Sequence, residues 1–282
     1  MSGITWLASY PKSGNTWLRV FLANLRAGGA VEADINALGT LQLSAREVVD
    51  RQLGWESSEF SAEELEALRG PVQRALARST TELPPIKTHE VFALPSGGRP
   101  RFCAEATRAA IYIVRNPLDV VVSLSHHWGV DLERAIAVLN DAEARLASGP
   151  PEWLLPQVLA DWSTHVASWA GATAVPVTVL RYEDMLERPV ETFGRAARAA
   201  GIEASAEAIE RAIGHSRFEN LQKQEATKGF QERAAARSFF REGRSGAWRG
   251  KLGARQVAAI IARHESTMRR FGYLENLHDL PS

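Results

Sequence analysis

The sequence lacks the features that mark secreted, membrane-spanning or nucleic-acid-binding chains. Its single cysteine, Cys103, cannot form an internal disulfide. Lys and Arg together number 33, as do Asp and Glu, so the net charge gives no overall attraction to nucleic acid or to an anionic membrane. There is no apolar run of about 18 residues, and no basic stretch precedes a long apolar segment near the N-terminus. We therefore expect a cytoplasmic protein with no membrane span, no nucleic-acid partner and only local anion sites.

The hydrophobic content of 45% over 282 residues is enough for a substantial core. Short apolar stretches alternate with helical patterns. Strands are predicted at 4–10, 84–89, 109–115 and 175–182, and helices at 15–26, 61–78, 117–127, 157–170, 189–200, 205–213 and 254–271. Near-continuous apolar strands separated by helices predict an α/β fold with a doubly wound parallel sheet, which we assign to a single domain, 1–282. Ligands of such sheets bind at the carboxyl ends of the strands.

The stretch "ITWLASYPKSGNTWLRVFLANL" (4–25) passes from an apolar strand through a polar loop into a helical pattern. The strand should end near Tyr10, and the helix should start near Asn15 or Thr16 after a turn at Gly14. Free backbone N–H groups at the start of that helix would face the carboxyl end of the strand. This arrangement predicts an anion site.

The same loop departs from the ATP-binding pattern GxxxxGK[ST]. It keeps Gly14 and Thr16 but has Ser9 for the first glycine and Asn15 for the lysine. The pattern is thus broken where a nucleoside triphosphate would need it. Lys12, in the middle of the loop, could instead reach an anion carried on one phosphate. A plain strand-turn-helix with a solvated lysine is the alternative that this loop alone leaves open.

A second helix start is predicted after the strand "AAIYIVR", which ends at Arg115. Asn116 can cap the helix, Pro117 suits its first position, and Asp119 can complete an exchange like a capping box. Arg115 offers a planar fork that pairs with phosphate, and Ser123 could add a hydroxyl. Two helix starts therefore face the same edge of the sheet.

These motifs resemble those of the PAPS-dependent, cytosolic-type sulfotransferases, where PAPS is 3′-phosphoadenosine 5′-phosphosulfate. "YPKSGNTW" resembles their 5′-phosphosulfate loop, a P-loop-like strand-loop-helix, and "YIVRNPLDVVVS" resembles their 3′-phosphate motif. Three further segments agree in the same order: "IKTH" (86–89), "LRYEDM" (180–185) and "FFREGRSGAWR" (239–249). The chain is identified as a member of this family, and its Ala- and Arg-rich usage suggests a bacterial one.

The resemblance implies PAPS as co-substrate, no metal, and three catalytic residues: His89 as general base, Lys12 at the leaving phosphate and Lys87 near the transferring group. It also implies that the amides of 13–16 hold the 5′-phosphate. The residues implied to bind the co-substrate are Lys12, Ser13, Gly14, Asn15, Thr16, Trp17, Arg115, Ser123, Tyr182, Ser216, Phe218, Phe240, Arg241, Glu242 and Gly243.

The resemblance also implies which part of the nucleotide each of these side chains contacts. Arg115 and Ser123 are implied to bind the 3′-phosphate, to which Arg241 and Gly243 return. Tyr182, Trp17 and Phe218 are implied to contact the adenine. Glu242 departs from the pattern, because animal cytosolic enzymes often carry a lysine there. This acidic residue is expected to weaken the binding of the phosphate by the loop.

The acceptor is expected to be a small molecule, aromatic, lipophilic or of natural-product type, bound by residues from 28–83, 92–108 and 125–156. Apolar side chains there prompt this expectation: Leu53, Trp55, Phe60, Trp128, Trp153 and Leu154. Either His126 or His127 should line the acceptor pocket, and neither should bind metal.

The segment 222–251 is basic and shows little core pattern, so we expect a mobile surface element. Its part 222–244 should close over the bound molecules. Two alternatives to a sulfotransferase stay open, a P-loop kinase and a nucleotide-binding protein without catalysis.

Overall fold

The computed structural model describes residues 3–28, 31–79, 83–94, 100–146, 153–233 and 238–275. The strands are β1 (Ile4–Ser9), β2 (Leu41–Gln42), β3 (Ile86–Thr88), β4 (Thr107–Val114), β5 (Arg145–Leu146), β6 (Gln157–Val158) and β7 (Val177–Arg181). The α-helices are α1 (Asn15–Arg26), α2 (Arg46–Leu53), α3 (Ala62–Arg78), α4 (Pro117–Trp128), α5 (Leu132–Asn140), α6 (Trp162–Ala170), α7 (Tyr182–Glu187), α8 (Pro189–Ala199), α9 (Ala206–His215), α10 (Phe218–Lys228) and α11 (Ala254–Arg270).

A five-stranded sheet in the order β2-β3-β1-β4-β7 forms the centre of the fold, and its neighbouring strands are parallel. Trp6 of β1 lies opposite Ile86 of β3 on one side and Ala110 of β4 on the other. The predicted parallel α/β sheet is therefore confirmed. Since parallel strands end at the same edge, the segments that follow β1, β3 and β4 meet there.

Helices cover both faces of this sheet, and each strand contributes to both packed faces because its successive side chains point to opposite sides. Trp6 and Tyr112 pack with Trp162 and Trp169 in one buried cluster. Leu7 on the other face belongs to a second cluster, which also contains residues of α1, β4 and α8. Its buried members include Leu18, Phe21, Ile111 and Phe193. Burial on both faces explains the near-continuous apolar strands.

Two predicted boundaries were wrong. The helix predicted over 157–170 begins at Trp162, because the Asp161 side chain caps it by accepting a hydrogen bond from the Thr164 amide at 2.9 Å. The strand predicted over 175–182 ends at Arg181, and α7 follows at once. Tyr182 therefore begins a helix, where we had placed it at the end of a strand.

Most described residues of the segment 222–251 lie at the surface, as expected, but a few of its side chains are buried. Helix α10 contains its first residues, and Phe230, Phe240 and Trp248 are buried. Phe230 and Phe240 form a third apolar cluster with Val20 of α1 and Leu221 of α10. The segment buries isolated aromatic residues instead of a periodic stripe, so sequence periodicity did not reveal this packing.

Candidate active site

The loop between β1 and α1 has a backbone that only a few sequences can adopt. Lys12 and Gly14 have φ angles of 66° and 104°, in the left-handed region. A Cβ atom at Gly14 would lie 2.7 Å from Cδ2 of Tyr182, so this position requires glycine. The Asn15 side chain donates to the Leu7 carbonyl at 2.9 Å and ties the helix start to β1.

The first turn of α1 is open to an anion. Its N-cap, Gly14, makes no side-chain hydrogen bond, and this described turn contains no acidic residue. The free amides and the positive end of the helix dipole both favour negative charge. The predicted anion site thus has the local geometry that it needs.

Three basic residues from the three converging segments surround this turn: Lys12 after β1, Lys87 in β3 and Arg115 after β4. Burial, followed by the charges of Arg115 and Lys87, lowers the pKa of Lys12 to about 7. Its Nζ lies 3.5 Å from the ring centroid of Phe239. Like charges buried this closely fit a polyanionic ligand, which would restore the full charge of Lys12.

Arg115 is held in place by main-chain oxygens. It donates to the Lys12 carbonyl at 2.9 Å and to the Arg244 carbonyl at 3.2 Å, and its guanidinium lies 4.2 Å from the ring centroid of Tyr182. Its buried Nε has no hydrogen-bond partner within the described residues. An anion beside Arg115 would supply this donor with a partner.

His89 directly follows β3, and its ring has one defined tautomer. Nδ1 lies 2.8 Å from the Ser9 carbonyl, which can only accept, so Nδ1 carries the proton and Nε2 is unprotonated. Burial and the nearby Lys87 lower the pKa of His89 to about 3. The His89 carbonyl accepts from Nε2 of His165, whose Nδ1 faces the Tyr112 hydroxyl at 2.9 Å. His89 is thus a neutral, oriented proton acceptor.

A cavity of about 590 Å³ joins these groups. It brings together most of the sequence-predicted site residues: Lys12, Gly14, Asn15, Thr16, Trp17, Lys87, His89, Arg115, Ser123, Tyr182, Phe218, Phe240, Arg241, Glu242 and Gly243. This volume lies in the range of small-molecule sites.

Ser13 and Ser216 do not line this cavity. The Ser13 hydroxyl is buried and has no partner in the described part of the chain, so its predicted role would fall to its main-chain amide. The Ser216 hydroxyl donates to the Ala212 carbonyl at 2.7 Å and accepts from Asn24 at 3.1 Å. The Ser216 carbonyl accepts from Nε1 of Trp17 at 2.9 Å, so it helps to position that ring.

The C-terminal loop with the G-x-x-G-x-W pattern is fixed to the start of α4. Asp119 accepts from the Gly246 amide at 2.8 Å and from the Trp248 amide at 3.0 Å. Asn116 alone caps α4, by accepting from the Leu118 amide at 3.0 Å. The capping role that we expected of Asp119 was therefore wrong, because both of its oxygens hold a loop that is remote in sequence.

Glu242 is an acidic residue within a basic part of this loop. It forms ion pairs with Arg241 at 3.2 Å, with Arg244 at 3.0 Å and with Lys251. These contacts lower the pKa of Glu242. The carboxylate therefore offsets part of the positive charge at the end of the cavity where the resemblance implies the 3′-phosphate.

Glu232 also lines the cavity, although no local sequence pattern pointed to it. Its carboxylate lies 2.7 Å from Nζ of Lys87 and 2.6 Å from Nη1 of Arg19, and these cations lower its pKa to about 2. We call residues 10–16, 87–89 and 115 the floor of the cavity, and residues 229–233 with 238–244 its roof. Glu232 and Phe239 of the roof touch lysines of the floor.

The remaining wall of the cavity is the candidate acceptor end. Trp128 and Leu154 line it as expected, together with Leu146. Trp55 and Trp153 are instead 71% and 72% exposed. Leu53 and Phe60 are also outside the lining of the cavity.

Both of the adjacent histidines in α4 line the cavity, where we expected one to do so. His126 Nε2 lies 3.1 Å from the Ser238 carbonyl and anchors the roof. His127 packs edge-on against Phe239, and its buried Nδ1 has no partner among the described residues. His127 is thus the histidine with a ring nitrogen still to be paired.

The described residues show no sign of a metal site or of a membrane span. Neither a group of three or more His, Cys, Asp or Glu side chains suited to a metal ion nor a helix long and apolar enough to cross a membrane occurs in that part of the chain.

Comparison with known proteins agrees with this geometry. The family model described as "Sulfotransferase domain" matches residues 4–272. Sulfotransferase 1B1 of Canis lupus familiaris is 28% identical over 222 residues, a match that covers 76% of this chain and 64% of the dog protein. Flavonol 3-sulfotransferase of Flaveria bidentis is 26% identical over 260 residues, covering 86% of this chain and 75% of that protein.

Among solved structures, mouse sulfotransferase SULT7A1 complexed with PAP has a TM-score of 0.61 and 21% identity, with 95% of this chain and 84% of the mouse chain covered. That likeness shows the fold. The family match extends over nearly the whole chain and includes the loop, the histidine and the arginine described above. The chain therefore belongs to the sulfotransferase family, the enzymes that transfer a sulfuryl group from PAPS.

Proposed function

We propose that this protein transfers a sulfuryl group from PAPS to a hydroxyl or amine of a small-molecule acceptor, with residues 1–282 acting as one sulfotransferase domain. The observation that carries the proposal is the meeting of buried Lys12, Lys87 and Arg115 with the neutral His89 in one cavity. The cations suit a ligand with several negative charges, and the histidine suits an acceptor that must lose a proton.

The functional residues of the floor have different roles in binding PAPS or in transferring the sulfuryl group. The open amides of 13–16 bind the 5′-phosphate. Lys12 stabilises the negative charge that grows on the oxygen between this phosphate and the sulfuryl group as that group is transferred to the acceptor. Lys87 lies at the transferring group. Arg115 binds the 3′-phosphate through its guanidinium, joined by Ser123 on α4. The other co-substrate residues that line the cavity surround the nucleotide, as the family resemblance implies.

His89 accepts the proton of the acceptor hydroxyl at Nε2. The Ser9 carbonyl keeps the proton on Nδ1 and directs the lone pair of Nε2 away from that contact. A pKa of about 3 makes the imidazole a weak base in the empty cavity. Negative charge brought in with PAPS opposes the effect of Lys87 and raises this pKa when the base is needed.

The acceptor end favours an aromatic or lipophilic molecule, including natural-product scaffolds. Trp128, Leu146 and Leu154 supply apolar surface, and His127 offers an unpaired ring nitrogen to a polar group of the acceptor. A relative named flavonol 3-sulfotransferase supports this class of acceptor. We further propose that the protein is bacterial and cytoplasmic, as its composition suggests.

A P-loop kinase is disfavoured by one contact. Asn15 stands where such a loop has its lysine, and its side chain points back to the Leu7 carbonyl beneath the loop. The deciding experiment measures sulfate transfer from labelled PAPS to a library of phenols, alcohols and amines, with ATP turnover in magnesium measured in parallel. Transfer from PAPS supports the proposal. ATP turnover without sulfate transfer would contradict it and favour the kinase.

A further inference from the structure

Glu232 connects the roof to the floor through two ion pairs. Its Oε2 lies 2.7 Å from Nζ of Lys87 in β3, and its Oε1 lies 2.6 Å from Nη1 of Arg19 in α1. The Arg19 side chain is 8% exposed and that of Lys87 12%, whereas the Glu232 side chain that joins them is 31% exposed. One carboxylate of the roof thus holds two buried cations that belong to two separate elements below it.

The two lysines of the floor have different partners. Nζ of Lys12 lies against the ring of Phe239, and in the described part of the chain no carboxylate forms a salt bridge with it. Lys87 alone of the two has a carboxylate partner. Lys87 is also the cation that the proposed reaction needs beside the transferring group. An anionic sulfuryl group at Lys87 would face the carboxylate of Glu232 across one shared cation.

We propose that Glu232 is a positioning residue that competes with the sulfuryl group of PAPS for Lys87, holding the ammonium in the empty cavity and yielding it when the co-substrate binds. The inference rests on the proposed function. No covalent bond is made or broken, and Arg19 stays as the counter-ion of Glu232 after the exchange. Glu232 keeps its charge throughout, since a pKa of about 2 leaves it ionised at neutral pH.

Glu232→Gln tests this competition, because the amide keeps the shape of the side chain and removes its negative charge. Without acceptor present, calorimetry should find PAPS bound about five- to tenfold more tightly by the variant, in the range of ordinary coupling between sites. Adenosine 3′,5′-bisphosphate, which lacks the sulfuryl group, should gain less. The matched control is Glu203→Gln, the same charge change at an exposed residue that does not line the cavity. It should leave both affinities unchanged.

A double-mutant cycle locates the effect at Lys87. In a Lys87→Met background, Glu232→Gln should give no gain in PAPS affinity, because the shared cation is absent. If thermal unfolding shows that Glu232→Gln does not fold, Glu232→Asp replaces it. The shorter carboxylate loosens the pair with Lys87 and should give a smaller gain.

Three results would overturn the inference: unchanged or weaker PAPS binding by a folded variant, an equal gain for PAPS and the bisphosphate, or a gain that persists without Lys87. If the wild type binds PAPS and the variant shows no gain, the competition fails and the proposed function stands. If the wild type does not bind PAPS at all, the proposed function and the inference fail together.

Discussion

The floor and the roof of the cavity are built from different kinds of contact. In the floor, strand ends, a glycine turn and helix starts fix the backbone within a few residues of each functional group. In the roof, the contacts come from partners far away in sequence: the Glu232 side chain pairs with Lys87, and the Ser238 carbonyl contacts Nε2 of His126. The floor is therefore preorganised by local structure, whereas the position of the roof depends on the charges below it. Four experiments test this difference between the floor and the roof.

The largest effect is expected in the floor, at the proposed base. His89→Ala should lower turnover by roughly 10² to 10⁴-fold while PAPS binding changes little, since the proton acceptor is lost and the anion site is kept. His89→Asn is the matched variant, because its amide can still donate to the Ser9 carbonyl but cannot act as a base. Near-normal turnover of either variant with a hydroxyl acceptor would remove His89 from the mechanism.

Arg115 should produce the next largest effect. Wild-type protein should bind adenosine 3′,5′-bisphosphate far better than AMP or ADP, and Arg115→Ala should remove most of that preference while AMP affinity stays nearly constant. A charge-assisted contact contributes about 1.5 to 3 kcal/mol, so the loss should be at least about tenfold. Calorimetry with all three nucleotides measures it, with exposed Arg134→Ala as the control. Equal binding of the three by the wild type would argue against a 3′-phosphate site.

The pH dependence of binding should follow Lys12. Its pKa of about 7 in the empty cavity means that the ammonium is present below that pH and lost above it. A bound polyanion raises this pKa, so affinity should fall as pH rises above about 7, and binding at pH 8 should take up protons. Calorimetry in buffers of different ionisation enthalpy detects the uptake. Lys12→Arg, which stays charged, should remove this contribution, and uptake that is unaltered in the variant would assign it to another group.

The smallest and most local effect concerns the roof. Amide hydrogen exchange in the roof, and in residues 222–228 that precede it, should slow when adenosine 3′,5′-bisphosphate binds, since closure over the ligand protects the backbone. Exchange in β1 and β4 should change little, because these strands are already buried. Equal protection of the roof with and without nucleotide would contradict the view that it closes.

The same contrast explains how far the sequence could be interpreted. The strand, loop and helix over 4–26, the Asn116 cap and Pro117 at the start of α4 were predicted correctly, because each depends on neighbours a few residues away. Helices α2, α5, α7 and α10 were not predicted. Glu232 and Asp119 acquire their partners only through the tertiary fold. Glu232 pairs with Lys87, 145 positions away, and Asp119 binds the Gly246 amide, 127 positions away. No local pattern encodes such pairs.

The contact between Asn15 and Leu7 restricts which side chains position 15 can hold. A single substitution, Asn15→Lys, would restore the lysine of an ATP-binding loop in the sequence alone. In the folded chain, however, position 15 is buried and its side chain is directed at a main-chain carbonyl of β1. A lysine there would have to bury its ammonium beneath the sheet or rebuild the turn around Gly14. Asn15→Lys alone would therefore not give this chain the lysine position of an ATP-binding loop, because the side chain at this position is enclosed by β1 and the turn.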